Sequence, residues 1–343
     1  MDIKKTIICK GINDYKINRK INKVYIPKAG DLAVFKVIEL GKHTSVQGVN
    51  GNNCYIFPGD HIMAAFGNRY ATDQFEGYVP TKYHREYHIL GKGGAVGILA
   101  SMHTKLEDKG TTNLQLVGYV INKENKVINT KFYESNPLKF EPKKDRPYKI
   151  ILSLGSSMDS GKTTTAAFLC RGLRAAKKKV AFIKLTGTVY TKDRHLARDC
   201  GAHIAIDFST YGFPSTYLCS LSELLNLHET LLHNVESIKP DYVVIEIADG
   251  LIQRETAMLL KNQNFMSQVS DVIFSAADSL GILSGIQILK RLSIDVFAVS
   301  GLFTASPLLV KEVEGAVHQP VLTLEKLAVS NVLTLLEKQT EAA

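Results

Sequence analysis

Tyr148-Lys-Ile-Ile-Leu-Ser-Leu154, then Gly155-Ser156-Ser157-Met158-Asp159-Ser160-Gly161-Lys162-Thr163-Thr164-Thr165, then Ala166-Ala-Phe-Leu-Cys-Arg-Gly-Leu-Arg-Ala175 read as a strand, a glycine-bounded loop and a helix. That order is the setting in which a phosphate-binding loop works. Loop and helix-terminal N–H groups converge on phosphate oxygens, a lysine reaches the β and γ phosphates, and the next hydroxyl is placed to ligate Mg²⁺. Residues 155–164 are therefore the expected nucleotide contacts, with Lys162 as a catalytic cation and Thr163 as a metal ligand. The common pattern leaves about four residues between its first glycine and Gly-Lys. Here Ser156 to Ser160 separate Gly155 from Gly161, one residue more.

Downstream, apolar runs alternate with helical stretches. Strands are expected at 149–154, 180–185, 203–208, 242–247, 272–275, 296–300 and 321–324. Continuous apolar strands separated by helices predict a mainly parallel sheet covered on both faces, with ligands at the carboxyl ends of the strands.

Those ends carry the remaining chemistry. Asp241-Tyr-Val-Val-Ile-Glu246 finishes in a carboxylate beside the loop, suited to holding Mg²⁺ directly or through water. Val180-Ala-Phe-Ile-Lys184 finishes in a lysine, costly at a buried strand end unless it faces an anion. That anion is a phosphate, a substrate carboxylate or Glu246 itself. Asp193 and Asp207 rank first as further metal ligands, ahead of Asp199. Ser215, Thr216, Gln253 and Arg254 leave strand ends in polar runs and are the expected contacts to an acceptor substrate. An arginine there suits a carboxylate. The run 300–307, after the sixth strand, is the expected seat of the adenine.

The first half reads differently. A Lys- and Asn-rich lead-in, in which one strand is expected, covers residues 1 to about 28. From Gly30 period-two alternation and recurrent turn signals predict short strands, and hence a small all-β, barrel-like domain. The run Gly67-Asn-Arg69-Tyr70 to Asp73 either presents Arg69 and Asp73 to a ligand or is a turn tied by an Arg–Asp pair. Three prolines and a charge run mark 136–147 as a linker. The expected division is thus 1–135 for the β domain, 136–147 for the linker and 148–343 for the P-loop domain. All of the net charge of +9 falls within residues 1–147, which hold 23 Lys and Arg against 14 Asp and Glu. Such an excess leaves a nucleic-acid partner possible, but its lysines are dispersed. Five scattered cysteines without a CxxC pair suggest reduced thiols. No apolar run reaches the roughly 18 residues of a membrane span, so the expectation is a cytoplasmic protein with no membrane partner.

The five-residue gap, Lys184, the strand ending in Glu246 and Asp278-Ser-Leu-Gly-Ile-Leu283 together resemble dethiobiotin synthetase and its relatives over residues 148 to 325. The resemblance implies the dimeric SIMIBI class of P-loop proteins. In it two lysines, here Lys162 and Lys184, contact phosphates, and a strand-end glutamate, here Glu246, holds Mg²⁺. ATP and Mg²⁺ would be the cofactors, a small acid the acceptor, and ligation or cyclisation the outcome. Ser157 stands where the signature lysine of the class's dimer-activated branch would be. The stretch Glu246-Ile-Ala-Asp-Gly-Leu-Ile-Gln-Arg-Glu255 is also similar to a P-loop family that includes D-glutamate N-acetyltransferases. An acyltransferase using coenzyme A is accordingly one alternative. An ATPase that switches a macromolecular partner through the β domain is the other.

Overall fold

The period-two alternation of the first half folds into strands that close on themselves. The structure, a computed structural model, describes residues 2–143 and 145–342, with the backbone alone for 338–342. Residues 1, 144 and 343 of the expected division lie outside the described residues. The strands of the first half are β1 (Ile3–Lys5), β2 (Lys16–Asn18), β3 (Leu32–Glu39), β4 (Ser45–Gln47), β5 (Asn53–Tyr55), β6 (His61–Phe66), β7 (Phe75–Tyr78), β8 (Tyr87–Gly91), β9 (Ala95–Met102) and β10 (Asn113–Ile121).

Pairing runs β6–β3–β10–β8–β9, and a parallel contact of Ala65 with Ala95 joins β9 back to β6. The circuit is a five-stranded barrel, which removes most free edges. Its inward residues include Ala33, Phe35, Val37, Ile62, Ala64, Phe66, Tyr87, Ile89 and Val96. The rings of Phe35, Phe66 and Tyr87 meet at centroid distances of 5.5 to 5.8 Å. Apolar side chains on alternate positions thus fill a barrel too narrow to hold anything else.

Two details differ from the sequence reading. The lead-in holds two short strands, β1 on β6 and β2 on β10, rather than one. Arg69 and Asp73 do not pair. Arg69 donates to the Leu90 carbonyl and to Gln74 Oε1, while Asp73 faces Lys105 at 3.3 Å.

The second half supplies β11 (Lys149–Gly155), α1 (Lys162–Ala175), β12 (Val180–Lys184), α2 (Lys192–Asp199), β13 (Ile204–Asp207), α3 (Leu221–Val235), β14 (Tyr242–Glu246), α4 (Arg254–Leu260), α5 (Gln263–Met266), β15 (Asp271–Ser275), α6 (Ser279–Arg291), β16 (Ala298–Ser300), α7 (Pro307–Glu314), α8 (Leu324–Leu327) and α9 (Val332–Ala342). The sheet has the order β13-β12-β14-β11-β15-β16, and the pairs are parallel. Leu169, Cys170 and Leu173 of α1 pack with Ile151, Phe182, Val244 and Ile273 and with Val332 and Leu336 of α9. On the opposite face of the pleat, Phe274 packs so closely on α6 that a Cβ at Gly285 would lie 2.1 Å from its ring. Helices therefore cover both faces, and this unit has a P-loop NTPase fold.

The seventh expected strand, 321–324, is reduced to one bridge between Val299 and Val321. Thr323 instead accepts from Lys326 N and caps α8, so the local hydroxyl signal outcompetes the apolar pattern. No helix among the described residues is long and apolar enough to cross a membrane.

The compact units do not follow a single cut in the chain. The first comprises Met1–Pro137 with Gly187–Thr191 and Phe208–Leu218, and the second Leu138–Thr186, Lys192–Asp207 and Cys219–Ala343. Within the first unit the two later segments pair through a Thr188–Ser215 bridge and a Val189 N–H to Pro214 carbonyl bond of 3.0 Å. Buried Gln47 binds Thr191 reciprocally, donating to its hydroxyl at 2.9 Å and accepting from its N–H at 3.0 Å. Phe213, fully buried, meets Phe132 edge to face at 5.3 Å. Backbone bonds and aromatic burial make these segments part of the barrel unit.

Candidate nucleotide-binding site

The loop after β11 is anchored on both sides. The Ser156 N–H donates to the Ser275 carbonyl at 2.9 Å, and the Leu251 N–H to the Gly155 carbonyl at 3.1 Å. Asp159 and Gly161, at φ 55° and 95°, turn the chain through the left-handed region, so that α1 begins at Lys162. Glycine is required at Gly161, where a Cβ would also sit 2.9 Å from the Gly301 Cα, and at Gly250, where it would sit 2.3 Å from the Ser156 carbonyl oxygen. The Lys162 ammonium lies inside the loop, donating to the Ser157 carbonyl at 2.5 Å and to Ser160 Oγ at 3.4 Å. Burial lowers the pKa of Lys162, while Asp249 and Glu246 work the other way. A desolvated ammonium so placed favours an incoming anion.

Strand register brings the next group together. Lys184 lies opposite Glu246 on β14 and opposite Asp207 on β13. Its ammonium donates to Glu246 Oε1 at 3.0 Å and forms an ion pair with Asp193 in the first turn of α2. Burial opposes its charge, but Asp193 and Glu246 outweigh burial and hold its pKa above the ordinary lysine value. The Thr163 hydroxyl donates to the same Glu246 oxygen at 2.8 Å. Glu246 is 1% exposed, and its second oxygen, Oε2, is buried without a hydrogen-bond partner. An unsatisfied anionic oxygen of this kind costs about 1–3 kcal/mol or more, which a cation or its bound water would recover.

The donor set fits Mg²⁺. That ion takes one or two protein oxygens together with phosphate and water rather than a full protein cage, and Thr163 and Glu246 offer such a pair. The other two expected ligands are engaged by cations, Asp193 by Lys184 and Asp207 by Arg194 at 3.5 Å. No group of three or more His, Cys, Asp or Glu side chains able to hold a metal occurs among the described residues.

The four expected acceptor contacts are not gathered in one unit. Ser215 and Thr216 belong to the first unit, where Ser215 Oγ accepts from Tyr217 N and Thr216 Oγ1 accepts from Gly187 N at 2.8 Å. Gln253 and Arg254 belong to the second. The Gln253 side chain caps α4, accepting from Glu255 N and Thr256 N, and also donates to the Glu255 carboxylate. Arg254 pairs with Glu255 and donates to the Cys219 carbonyl at 3.0 Å. Each therefore has a local structural partner.

A cavity of about 230 Å³ opens beside the α1 N-terminus, lined by Thr164, Gly301, Thr304, Thr323, Leu324 and Glu325 among others. Gly301, Thr304 and Ala305 fall in the run expected to meet the base. Thr323 and Leu324 escaped the sequence reading because that stretch reads as the end of a strand, and Glu325 follows it. The hydroxyl before a helical turn was the signal available. Another unread contact is buried: Ser275 Oγ lies 3.1 Å from Thr165 Oγ1, tying β15 to α1.

No family model and no curated protein matches the sequence. Among solved structures, the chain is similar to the signal recognition particle receptor FtsY from Elizabethkingia anophelis, with a TM-score of 0.38 and 19% identity over 56% of this chain and 65% of that one. It is similar to the signal recognition particle 54 kDa protein from Aeropyrum pernix K1 in complex with GDP, with a TM-score of 0.37 and 18% identity over 59% of this chain and 51% of that one. A nucleotide-binding protein in complex with ADP from Archaeoglobus fulgidus gives a TM-score of 0.31 and 13% identity over 55% and 88% of the two chains. The match thus spans less than two thirds of the first two proteins' own length.

Proposed function

We propose that the chain is a Mg²⁺-dependent enzyme that transfers the γ-phosphoryl group of ATP to a small carboxylate-like acceptor, which is then ligated or cyclised. The observation that carries this reading is the shared oxygen Glu246 Oε1, which receives both the Thr163 hydroxyl and the Lys184 ammonium. Mg²⁺, held by Thr163 and Glu246, supplies charge neutralisation at the phosphate oxygens. Lys162 and Lys184 balance the charge that spreads over the transferring group, and the loop N–H groups hold it in line. Positioning and electrostatics of this kind account for most phosphoryl-transfer catalysis. The cavity beside α1 suits the base. Glu325, the ionisable side chain on its lining, would accept from the amino group of adenine and from the donors of guanine alike, so GTP is tested beside ATP. The SIMIBI assignment, with the homodimer it implies, rests on the five-residue gap and on the adjacency of β11 and β14.

One observation favours a second reading, a nucleotide-driven switch. The segments that begin three residues after Lys184 and immediately after Asp207 belong to the barrel unit. A change at those strand ends therefore has a covalent route to it.

Thermal shift with ATP, GTP, ADP and acetyl-CoA, with and without Mg²⁺, tests the site, since a ligand at 100 times its Kd stabilises by about 2.7 kcal/mol. ADP release is then assayed across a panel of small acids. Acid-dependent ADP formation supports the enzyme, and acid-independent hydrolysis supports the switch. Acetyl-CoA consumption without ADP supports the acyltransferase, and no stabilisation by any nucleotide sinks all but that last reading.

A further inference from the structure

The lead-in of the barrel unit holds a feature that the nucleotide site does not use. Residues 15–30 contain Lys16, Arg19, Lys20, Lys23 and Lys28 and no acidic residue. Within them, Asn22 to Tyr25 form a turn closed by a Tyr25 N–H to Asn22 carbonyl bond of 3.1 Å, with Lys23 and Val24 at its tip. Val24 is 85% exposed and Ile26 55%. Single exposed aliphatic residues are ordinary. Two of them in one turn and the residue after it, among Lys16, Lys20, Lys23 and Lys28, are a different pattern.

The loop is held in place while its tip is bare. Ile21 and Tyr25 pack against the barrel core. The Tyr25 ring meets Tyr119 edge to face at 4.8 Å, and its hydroxyl donates to the buried Asp31 at 2.6 Å. Lys23 lies over the Tyr83 ring at 5.5 Å. Side chains alternate between anchoring and projecting, so no ordering is needed for Val24 and Ile26 to enter another phase. Beside the loop a cavity of about 560 Å³ is lined by Lys20, Lys28 and Lys126, and also by Asp31, whose carboxylate already takes the Tyr25 hydroxyl and the Asn129 amide.

We propose that this loop is a membrane-surface contact: Val24 and Ile26 enter the headgroup boundary of an anionic bilayer, and the surrounding lysines meet its phosphates. Charge complementarity selects the anionic leaflet, and the projecting aliphatic pair selects a bilayer over a nucleic acid, whose partners present aromatic platforms or base-edge donors. The contact is peripheral and reversible, and it is separate from the phosphate loop.

The test is co-sedimentation of the full chain with vesicles of phosphatidylcholine alone or with roughly one third phosphatidylserine. Binding is expected only with phosphatidylserine, falling as salt rises. In the double variant Val24→Glu, Ile26→Glu the bound fraction drops about tenfold or more. A Lys20→Glu, Lys23→Glu variant loses binding while keeping the aliphatic pair. All four positions are exposed, and an unchanged unfolding midpoint verifies that each variant is folded. Equal binding to neutral vesicles, full binding by the Val24 and Ile26 variant, or no binding to anionic vesicles at low salt each overturns the proposal. So does displacement from vesicles by a single-stranded RNA oligonucleotide that binds more tightly.

Discussion

Thr163 and Glu246, 83 residues apart in sequence, share a hydrogen bond of 2.8 Å that joins the first turn of α1 to the last residue of β14. The same carboxylate oxygen takes the Lys184 ammonium, so one buried atom reports on the loop, the lysine strand and the acidic strand together.

Glu246→Gln removes that charge while keeping its shape. In thermal shift the stabilisation by Mg·ATP is expected to shrink to the value seen with ATP and a chelator, because the protein oxygen offered to the ion has lost its charge. An undiminished Mg²⁺ increment in the variant counts against Glu246 as a metal ligand.

Lys184→Met leaves Glu246, 1% exposed, and Asp193 facing each other without their cation. Breaking a buried pair in this way costs about 3–5 kcal/mol, read as a lower urea midpoint at constant slope. The Lys184→Met, Glu246→Gln double variant is expected to recover part of the loss. Strict additivity of the two single effects would show that the pair is not coupled.

His228, in α3, has both ring nitrogens buried without a hydrogen-bond partner and packs edge to face on Phe265 at 4.9 Å. Burial, helped by the Arg146 charge, pushes its pKa down to about 3. The unfolded chain therefore binds a proton that the folded one refuses between about pH 6.5 and that value. This contribution to stability is complete above the upper limit and lost as pH falls through the window, on the order of a few kcal/mol. His228→Leu is expected to flatten the acid limb of a stability–pH curve and to raise stability at pH 7 by about 1 kcal/mol. An unchanged acid limb would show that His228 does not set it.

A fragment ending at Pro137 lacks Gly187–Thr191 and Phe208–Leu218. Gln47 then loses both bonds to Thr191, and Phe132 loses its contact with Phe213. The fragment is expected to show no cooperative urea transition, whereas Gln47→Leu in the full chain keeps one and loses about 1–3 kcal/mol. A cooperative transition in the fragment refutes this.

The P-loop was legible because its signal is local: a strand, two glycines, Lys162 and Thr163 lie within one stretch, and backbone geometry does the rest. Lys184 and Glu246 were legible as the first charges after buried apolar runs. The parallel sheet followed from the same runs. What stayed hidden depends on distant partners. Nothing near Thr188 or Ser215 says that they bridge to each other, or that Gln47 holds Thr191. Arg69 and Asp73 are close in sequence, yet each found a different neighbour once the barrel closed. Gln253, expected as a substrate contact, also caps α4, a role that shows only once the N–H groups of Glu255 and Thr256 are in view. The capping box that Ser220 and Glu223 form at the start of α3 was a local signal left unread.

The chain passes between its two units at Pro137, Thr186, Thr191, Asp207 and Leu218. Neither unit can then be shuffled as a cassette. Grafting the barrel onto another P-loop protein, or exchanging it for a different module, would have to carry both loops along and re-splice them behind the recipient's own second and third strands. Loss of the barrel by truncation at the proline-rich segment would leave Gly187–Thr191 and Phe208–Leu218 on the phosphate-loop chain without the strands they pack against.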